Sequence, residues 1–363
     1  MSDIVISGYY GLGNSGDEAL LKSIIDDLKK VDPDVTITAL SGNAQHTKKN
    51  YGIKTVNRFN LLAVINEFRS AKLLISGGGT LIQDATSTKS LLYYLGIIFL
   101  AKKMGLKTMV YANGIGPIKE KNYSKVKKIL DSVDLITLRE EVSLEELKKC
   151  NVSNKNVIVT ADPAFNLVPS SEERATEILS KYSVEKSDKL IAVSVRNCKN
   201  LPENFEEKMA QSLDIIAQSG YLPVFIPMQK STDLAISLDI AAKMQTPSRV
   251  IDRNLTVSDM LAVIGRCEIA CGMRLHMLIF ASVMNVPMAG IAYDPKIKGF
   301  MNYMSQTNFI ELEKFSAEQF TKLVAGCIEN LDGIKSQLEK SSEILEKKAK
   351  KNAELAIELI RKN

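Results

Sequence analysis

The chain has 363 residues, of which 45% are apolar and 25% charged, and a net charge of +5 at neutral pH. That length suits two domains of about 150–180 residues each, with core enough to fold without disulfide staples. The positive charge is mild and spread along the chain, without tryptophan or basic–aromatic interleaving, so nucleic-acid binding has no support, whereas phosphorylated small molecules or anionic lipid carriers suit it.

Five cysteines (Cys150, Cys198, Cys267, Cys271 and Cys327) are scattered and odd in number. No disulfide framework is expected, and a reducing, cytoplasmic compartment fits best. Cys267 and Cys271 have too few ligand-type neighbours for a zinc site, so no metal site is expected. The first residues run straight into a strand, so no signal peptide is expected. The most apolar run, 91–101, is too short to span a bilayer, which leaves peripheral contact with the inner membrane face open.

In chain order, residues 3–8 (DIVISG) read as a buried strand, followed by a glycine-rich turn at 8–18 (GYYGLGNSGDE) and an amphipathic helix over 19–30. Strands are expected at 35–40, 73–76, 107–112, 135–138 and 157–160, with helices at 61–69, 90–104, 123–132 and 142–150. Such alternation predicts a doubly wound parallel sheet. After a polar break at 169–174 the rhythm restarts, with strands at 190–195, 222–226, 249–251, 268–270 and 287–291 and helices at 256–264 and 275–283. Residues 333–362 carry Ile334, Leu338, Leu345, Ala349, Ala353, Ala356 and Ile360 at helical spacing. The expected organisation is α/β, with domains at 1–168 and 169–332 and a C-terminal helix at 333–363.

Several motifs stand at the C-terminal ends of these strands, where open α/β sheets bind ligands. The first glycine cluster does not fit the dinucleotide fingerprint cleanly, and Asp17 and Glu18 at the helix start would repel a pyrophosphate. They cap the helix on their own account; with Asn14 they also suit sugar hydroxyls, as hydrogen-bond acceptors or a base. Ser76-Gly77-Gly78-Gly79-Thr80, continuing to Gln83 and Asp84, is not a phosphate-binding P-loop, and reads equally as a tight turn or a ligand loop. Asn113-Gly114-Ile115-Gly116-Pro117 ends another strand. Arg139 follows the 135–138 strand, either gripping an anion or pairing with Glu140 and Glu141.

The strongest cluster is Gly272-Met273-Arg274-Leu275-His276, where a glycine turn leads from a strand into a helix. Arg274 and His276 there straddle a helix start that already favours anions. Tyr293-Asp294-Pro295-Lys296 follows the next strand, and proline in a turn would hold Lys296 in place. Arg196 ends the 190–195 strand. Arginines, a histidine and a lysine together suit a compact polyanion: phosphoenolpyruvate or a nucleotide diphosphate.

Taken in order, GYYGLGNSGDE (8–18), SGGGTLIQD (76–84), 113–117, GMRLHMLIFA (272–281) and YDPK (293–296) resemble the polysaccharide pyruvyl transferase family. The match is closest to its CsaB type, which modifies secondary cell-wall polymers of Gram-positive bacteria. The resemblance implies a GT-B-like fold, two Rossmann-like domains facing a cleft with the C-terminal helix crossing back to the first. It implies phosphoenolpyruvate as donor and no cofactor. The implied acceptor is a ManNAc-GlcNAc disaccharide on undecaprenyl diphosphate, and the product a 4,6-linked pyruvate ketal on ManNAc that anchors surface-layer proteins. The family's donor-site Arg, His and Lys fall on Arg139, His276 and Lys296.

On this reading His276 is the general acid or the partner of the leaving phosphate, since an ordinary imidazole titrates near about 6.5. Lys296, Arg139 and Arg274 neutralise the donor, with Arg196 and Gly272 beside them. Asn14, Asp17, Glu18, Gly78, Gln83, Asp84 and Asn113 form the acceptor side. A nucleotide-sugar glycosyltransferase on the same fold, a non-catalytic carbohydrate-binding protein and an NAD-dependent oxidoreductase are the alternatives.

Overall fold

Strand β1 (Ile4–Ser7) is buried along its whole length, the pattern of a parallel strand covered on both faces. The computed structural model describes residues 2–85, 87–198 and 200–361 and sets β1 inside a seven-stranded parallel sheet. Helix α1 (Ser15–Val31) follows. Asn14 caps it by accepting the Gly16 amide at 3.0 Å, with Asp17 and Glu18 in its first turn and Lys29 and Lys30 in its last, so both ends suit the helix dipole. Then come β2 (Ile37–Ser41), α2 (Ala44–Tyr51), β3 (Lys54–Asn57), α3 (Leu61–Phe68), β4 (Leu73–Gly77), α4 (Thr88–Lys103), β5 (Lys107–Asn113), α5 (Tyr123–Leu130), β6 (Leu135–Leu138), α6 (Val142–Lys149) and β7 (Val157–Val159). The order across the sheet is β3-β2-β1-β4-β5-β6-β7. One apolar layer joins α3, α4, α5 and α6 to this sheet through Val64, Phe68, Leu91, Leu95, Ile98, Val126 and Leu147. A second, built on Leu21, Ile24 and Leu28 of α1, covers it with Ala353, Ala356 and Ile357.

The chain then forms α7 (Glu172–Ser180), β8 (Lys189–Ser194), α8 (Phe205–Gln218), β9 (Tyr221–Phe225), α9 (Lys230–Lys243), β10 (Arg249–Val250), α10 (Val257–Gly265), β11 (Ile269–Gly272), α11 (Leu275–Val283), β12 (Met288–Ala292), α12 (Pro295–Tyr303), β13 (Phe309–Glu311), α13 (Ala317–Glu329) and α14 (Leu331–Arg361). Its six parallel strands lie in the order β10-β9-β8-β11-β12-β13. Met1–Asn166 with Leu345–Asn363 make one compact unit and Leu167–Ile344 the other. Within the second, Leu338 of α14 is fully buried and Ser342 donates to the Ser282 carbonyl at 3.1 Å. Within the first, the buried Asn352 amide donates to the Ala161 carbonyl at 3.2 Å and its oxygen accepts from Thr160 at 2.8 Å. The expected helix at 333–362 is thus α14, with residue 362 outside the described part of the chain.

Eight elements were not expected from the sequence: α2, β3, α7, α8, α9, α12, α13 and β13. Strand β3 (KTVN) is an edge strand with no buried residue, so no apolar run announces it. Helix α8 did carry a signal, because Phe205, Met209, Leu213 and Ile216 recur at helical spacing and are buried. The expected stiff turn at 293–296 is instead the start of α12. Asp294 caps it by accepting the Lys296 amide at 3.0 Å, and Pro295 takes the first helical position. Among the described residues, no helix is long and apolar enough to cross a membrane.

Candidate active site

Each sheet has a switch point where neighbouring strands send their connections in opposite directions, between β1 and β4 in the first and between β8 and β11 in the second. In the second sheet Ser194 lies opposite Gly272, so Arg196 and Arg274, each two residues further on, leave adjacent strands at the same edge. Arg274 is the N-cap of α11 in an extended conformation and makes no side-chain cap. An arginine has no acceptor to offer, so α11 starts without a side-chain N-cap, while the Met277 amide bonds to the Arg274 carbonyl at 3.0 Å. The guanidinium turns instead to α9. Its Nε donates to Asp233 Oδ2 at 3.0 Å and its Nη2 to Thr232 at 2.7 Å, Gln229 at 3.3 Å and the other oxygen of Asp233. Asp233 is fully buried and also accepts the Gln229 amide at 2.9 Å.

Arg196 stacks its guanidinium 4.8 Å from the Tyr293 ring centroid and donates to the Tyr293 hydroxyl at 2.7 Å. Lys296 reaches within 5.9 Å of the same ring and 3.4 Å of Asp294. Tyr293 therefore ties the cations of β8 and α12 into one group. His276 sits in the first turn of α11, half-buried, its ring set edge-on to Phe280 at 6.2 Å. Gly272 ends β11, and a Cβ there would come 3.1 Å from Met277, so its small size lets α11 pack close to the strand.

At the edge of the first sheet the polar groups hold one another. Glu18 accepts the Gly11 amide at 2.7 Å and the Tyr51 hydroxyl at 2.8 Å. Burial, and then the Glu18 carboxylate, keep that hydroxyl protonated well above the ordinary tyrosine range. Gly78 and Gly79 take positive φ of 71° and 72°; a Cβ on Gly79 would lie 3.1 Å from an Asp17 oxygen, so this loop packs directly on the start of α1. Gln83 is half-buried beside a bridge between Ile82 and Ile115. Asp84 is buried and accepts from the Lys119 amide at 2.9 Å and from Asn122 at 2.6 Å. Asn113, fully buried, donates to the Ser76 and Tyr111 carbonyls at 2.9 and 3.0 Å.

Arg139 is only 4% exposed. It donates to Asp162 at 3.0 Å, Glu140 at 3.2 Å and Thr80 at 3.1 Å. Burial disfavours its charge, but Glu140 and Asp162 outweigh that and hold its pKa above the usual arginine value. The ion pair with Glu140 was one of the two readings of this residue; Asp162 and Thr80 were not foreseen as its partners. They stand after β7 and β4 as Arg139 stands after β6, which is the signal that would have found them. Thr232 and Tyr293 were likewise missed as members of the second group, although Tyr293 directly follows β12.

The model of the family described as polysaccharide pyruvyl transferase matches residues 14–295. The chain is 22% identical over 399 positions to the amylovoran biosynthesis protein AmsJ of Erwinia amylovora, covering 94% of this chain and 95% of that one. A glycosyltransferase from Rickettsia africae superposes with a TM-score of 0.67 at 12% identity over 100% of both chains. Anabaena HepE, solved with UDP and glucose, superposes at 0.66 with 10% identity, again over 100% of both. At such identities the likeness shows the fold, which is the GT-B architecture of two parallel-sheet α/β domains. The family match spans well over half of the chain, and this protein belongs to the polysaccharide pyruvyl transferase family.

Proposed function

We propose that the chain transfers the enolpyruvyl group of phosphoenolpyruvate to two hydroxyls of one sugar on a lipid-linked ManNAc-GlcNAc acceptor, forming a 4,6-ketal on ManNAc as in the CsaB type. The observation that carries this reading is the group at the edge of the second sheet. Arg196 and Lys296 share the Tyr293 ring, and Arg274 and His276 flank the start of α11, which follows a strand at the same sheet edge as Arg196. A phosphate and a carboxylate three carbons apart are what such a group would hold.

In the proposed reaction the methylene carbon of the donor takes a proton, and the resulting oxocarbenium carbon is attacked by one sugar hydroxyl, which loses its proton to a base. The C–O bond to phosphate then breaks, with the electron pair leaving on phosphate. The second hydroxyl adds to the same carbon and loses its proton, so that donor and diol become ketal and inorganic phosphate. His276 is the general acid or the partner of the leaving phosphate; Arg274, Lys296 and Arg139 offset the donor's charge, with Arg196 and the backbone at Gly272 beside them. Asp17 or Glu18 receives an acceptor hydroxyl proton, and Asn14, Gly78, Gln83, Asp84 and Asn113 shape the acceptor side. The domains proposed for these two roles are 1–168 for the acceptor and 169–332 for the donor.

The experiment is phosphate release from phosphoenolpyruvate with a ManNAc-GlcNAc acceptor mimic. Acceptor-dependent phosphate together with a ketal product supports the reading; stabilisation and turnover by a UDP-sugar, with no phosphate released from phosphoenolpyruvate, overturns it. The nucleotide-sugar alternative is kept because a structural relative, HepE, was solved with UDP and glucose.

A further inference from the structure

We propose that the outer surface of α3 and α4 in the first unit docks on an anionic lipid bilayer. Five of the twelve exposed large apolar side chains among the described residues fall between positions 59 and 99: Phe59, Leu61, Leu62, Leu92 and Phe99. Phe59 is 72% exposed and Leu62 80%. Isolated exposed apolar residues are ordinary, but a contiguous group marks a surface that something covers. These side chains are not needed by the core. Val64 and Phe68 of α3 and Leu91, Leu95 and Ile98 of α4 already fill the layer against the sheet. On α4 the exposed stripe runs Lys89, Leu92, Gly96, Phe99, Lys103, at helical spacing on the opposite face.

The two helices are joined beneath this surface. The Phe59 ring lies 6.5 Å from that of Tyr93, and the Arg58 guanidinium sits 4.3 Å from the Tyr93 ring centroid while donating to the Gly8 carbonyl at 2.8 Å. The apolar residues therefore stand on a fixed base.

Charge selects the occupant. Between residues 57 and 107 the described chain has two carboxylates, and both are buried and engaged: Glu67 with Lys54 at 2.5 Å, and Asp84 with Asn122 and the Lys119 amide. The exposed charges of α3 and α4 and their flanks here are the cations Arg69, Lys72, Lys89 and Lys103, of which Lys72 is paired with Asp3 at 2.8 Å. Apolar side chains to enter the acyl boundary, on helices whose own exposed charges are cations, with Lys102 paired to Asp134 at 2.9 Å, match a bilayer bearing anionic headgroups. A second copy of the chain would bring like charges together. The proposal deepens the reading of a lipid-linked acceptor, but its test uses neither donor nor acceptor, so the two can fail separately.

The test is co-sedimentation of the full chain with vesicles of phosphatidylcholine, with and without about 30 mol% phosphatidylglycerol. Wild type is expected to bind the anionic vesicles at least about tenfold more tightly than neutral ones, and to lose that preference in about 1 M salt. Leu62→Glu with Phe99→Glu should weaken binding about tenfold or more, with an unchanged melting temperature because both positions are exposed. Lys89→Glu with Lys103→Glu should remove the anionic preference. Ile215→Glu, an exposed apolar position in the second unit, should change nothing. Absence of binding by wild type, equal binding by the Leu62/Phe99 variant, or equal loss in the Ile215 control would overturn the proposal. So would size-exclusion data in which Leu62→Glu turns a dimer into a monomer, which assigns this face to a second copy.

Discussion

In the first sheet the residues at and after the ends of β1, β4, β5 and β6 include glycines, carboxylates, asparagines and one buried arginine, and Glu18, Asp84 and Arg139 bond to neighbouring side chains and backbone. In the second sheet, whose order repeats the first as far as six strands go, the corresponding strands β8, β11 and β12 are followed by Arg196, Arg274 and Tyr293. The frame is the same, so strand order alone does not decide what an edge binds. The side chain one or two residues past each strand sets what the edge presents, together with whether a partner reaches it from another element. Arg139 shares Asp162, Glu140 and Thr80 and is covered; Arg274 is steered by Asp233 from one side only and remains 11% exposed at its side chain.

The sharpest way to break this contrast is His276→Ala. Phosphate release should fall about 100- to 10,000-fold with circular dichroism and melting unchanged. A rate near wild type would remove the histidine from the chemistry.

The two arginines offer the next largest effect. Arg139→Ala and Arg274→Ala each leave a buried carboxylate without its cation, Asp162 and Asp233, and each should cost about 3–5 kcal/mol in urea unfolding. Adding Asp162→Asn or Asp233→Asn should restore much of that stability. Transfer activity should stay low in both double variants; recovery in the Arg139 pair would make that arginine purely structural and widen the difference between the two edges.

A pH comparison tests the interior of the first unit. Asp27 on α1 is 3% exposed, and burial raises its pKa from 3.8 to about 6, against the opposing pull of Asn166 and Lys30. Its folded state holds a proton that the unfolded chain releases near pH 3.8, so its contribution to stability is present at acid pH and is lost as pH rises towards 6. Asp27→Asn should match wild type near pH 4 and exceed it by about 1–3 kcal/mol at pH 7.5. A gap that does not vary with pH would contradict the cause. The smallest effect is expected for Lys296→Ala, which should weaken phosphoenolpyruvate affinity about tenfold by calorimetry while leaving the fold intact. Unchanged affinity would place Lys296 outside the donor group.

Much of this was readable in advance, for reasons particular to each residue. Gly8 to Glu18 announced a strand-to-helix turn because glycines and two carboxylates at a helix start are local signals, although α1 begins at Ser15 rather than at 19, with Asn14, read only as a sugar ligand, as its cap. The Arg-x-His pair stood out because it abuts a glycine at a strand end, and α11 starts between the two. Other positions read two ways. Asp294-Pro295-Lys296 reads equally as a turn or as a capped helix start, and the capped helix α12 is what forms. Asp84 and Asn113 carry the same polar groups whether they face a ligand or the backbone, and here both are buried on backbone and side-chain partners.

The sequence by itself determined the alternation of strands and helices and the residue types at each strand end, because periodicity, capping and turn chemistry act over a few neighbouring positions. Only the tertiary structure decided which of those residues are bound up in the fold and which form a charged group. Asp233 meets Arg274 across 41 residues and Thr80 meets Arg139 across 59. Such meetings are set by the order in which strands pair, which no local stretch of chain encodes.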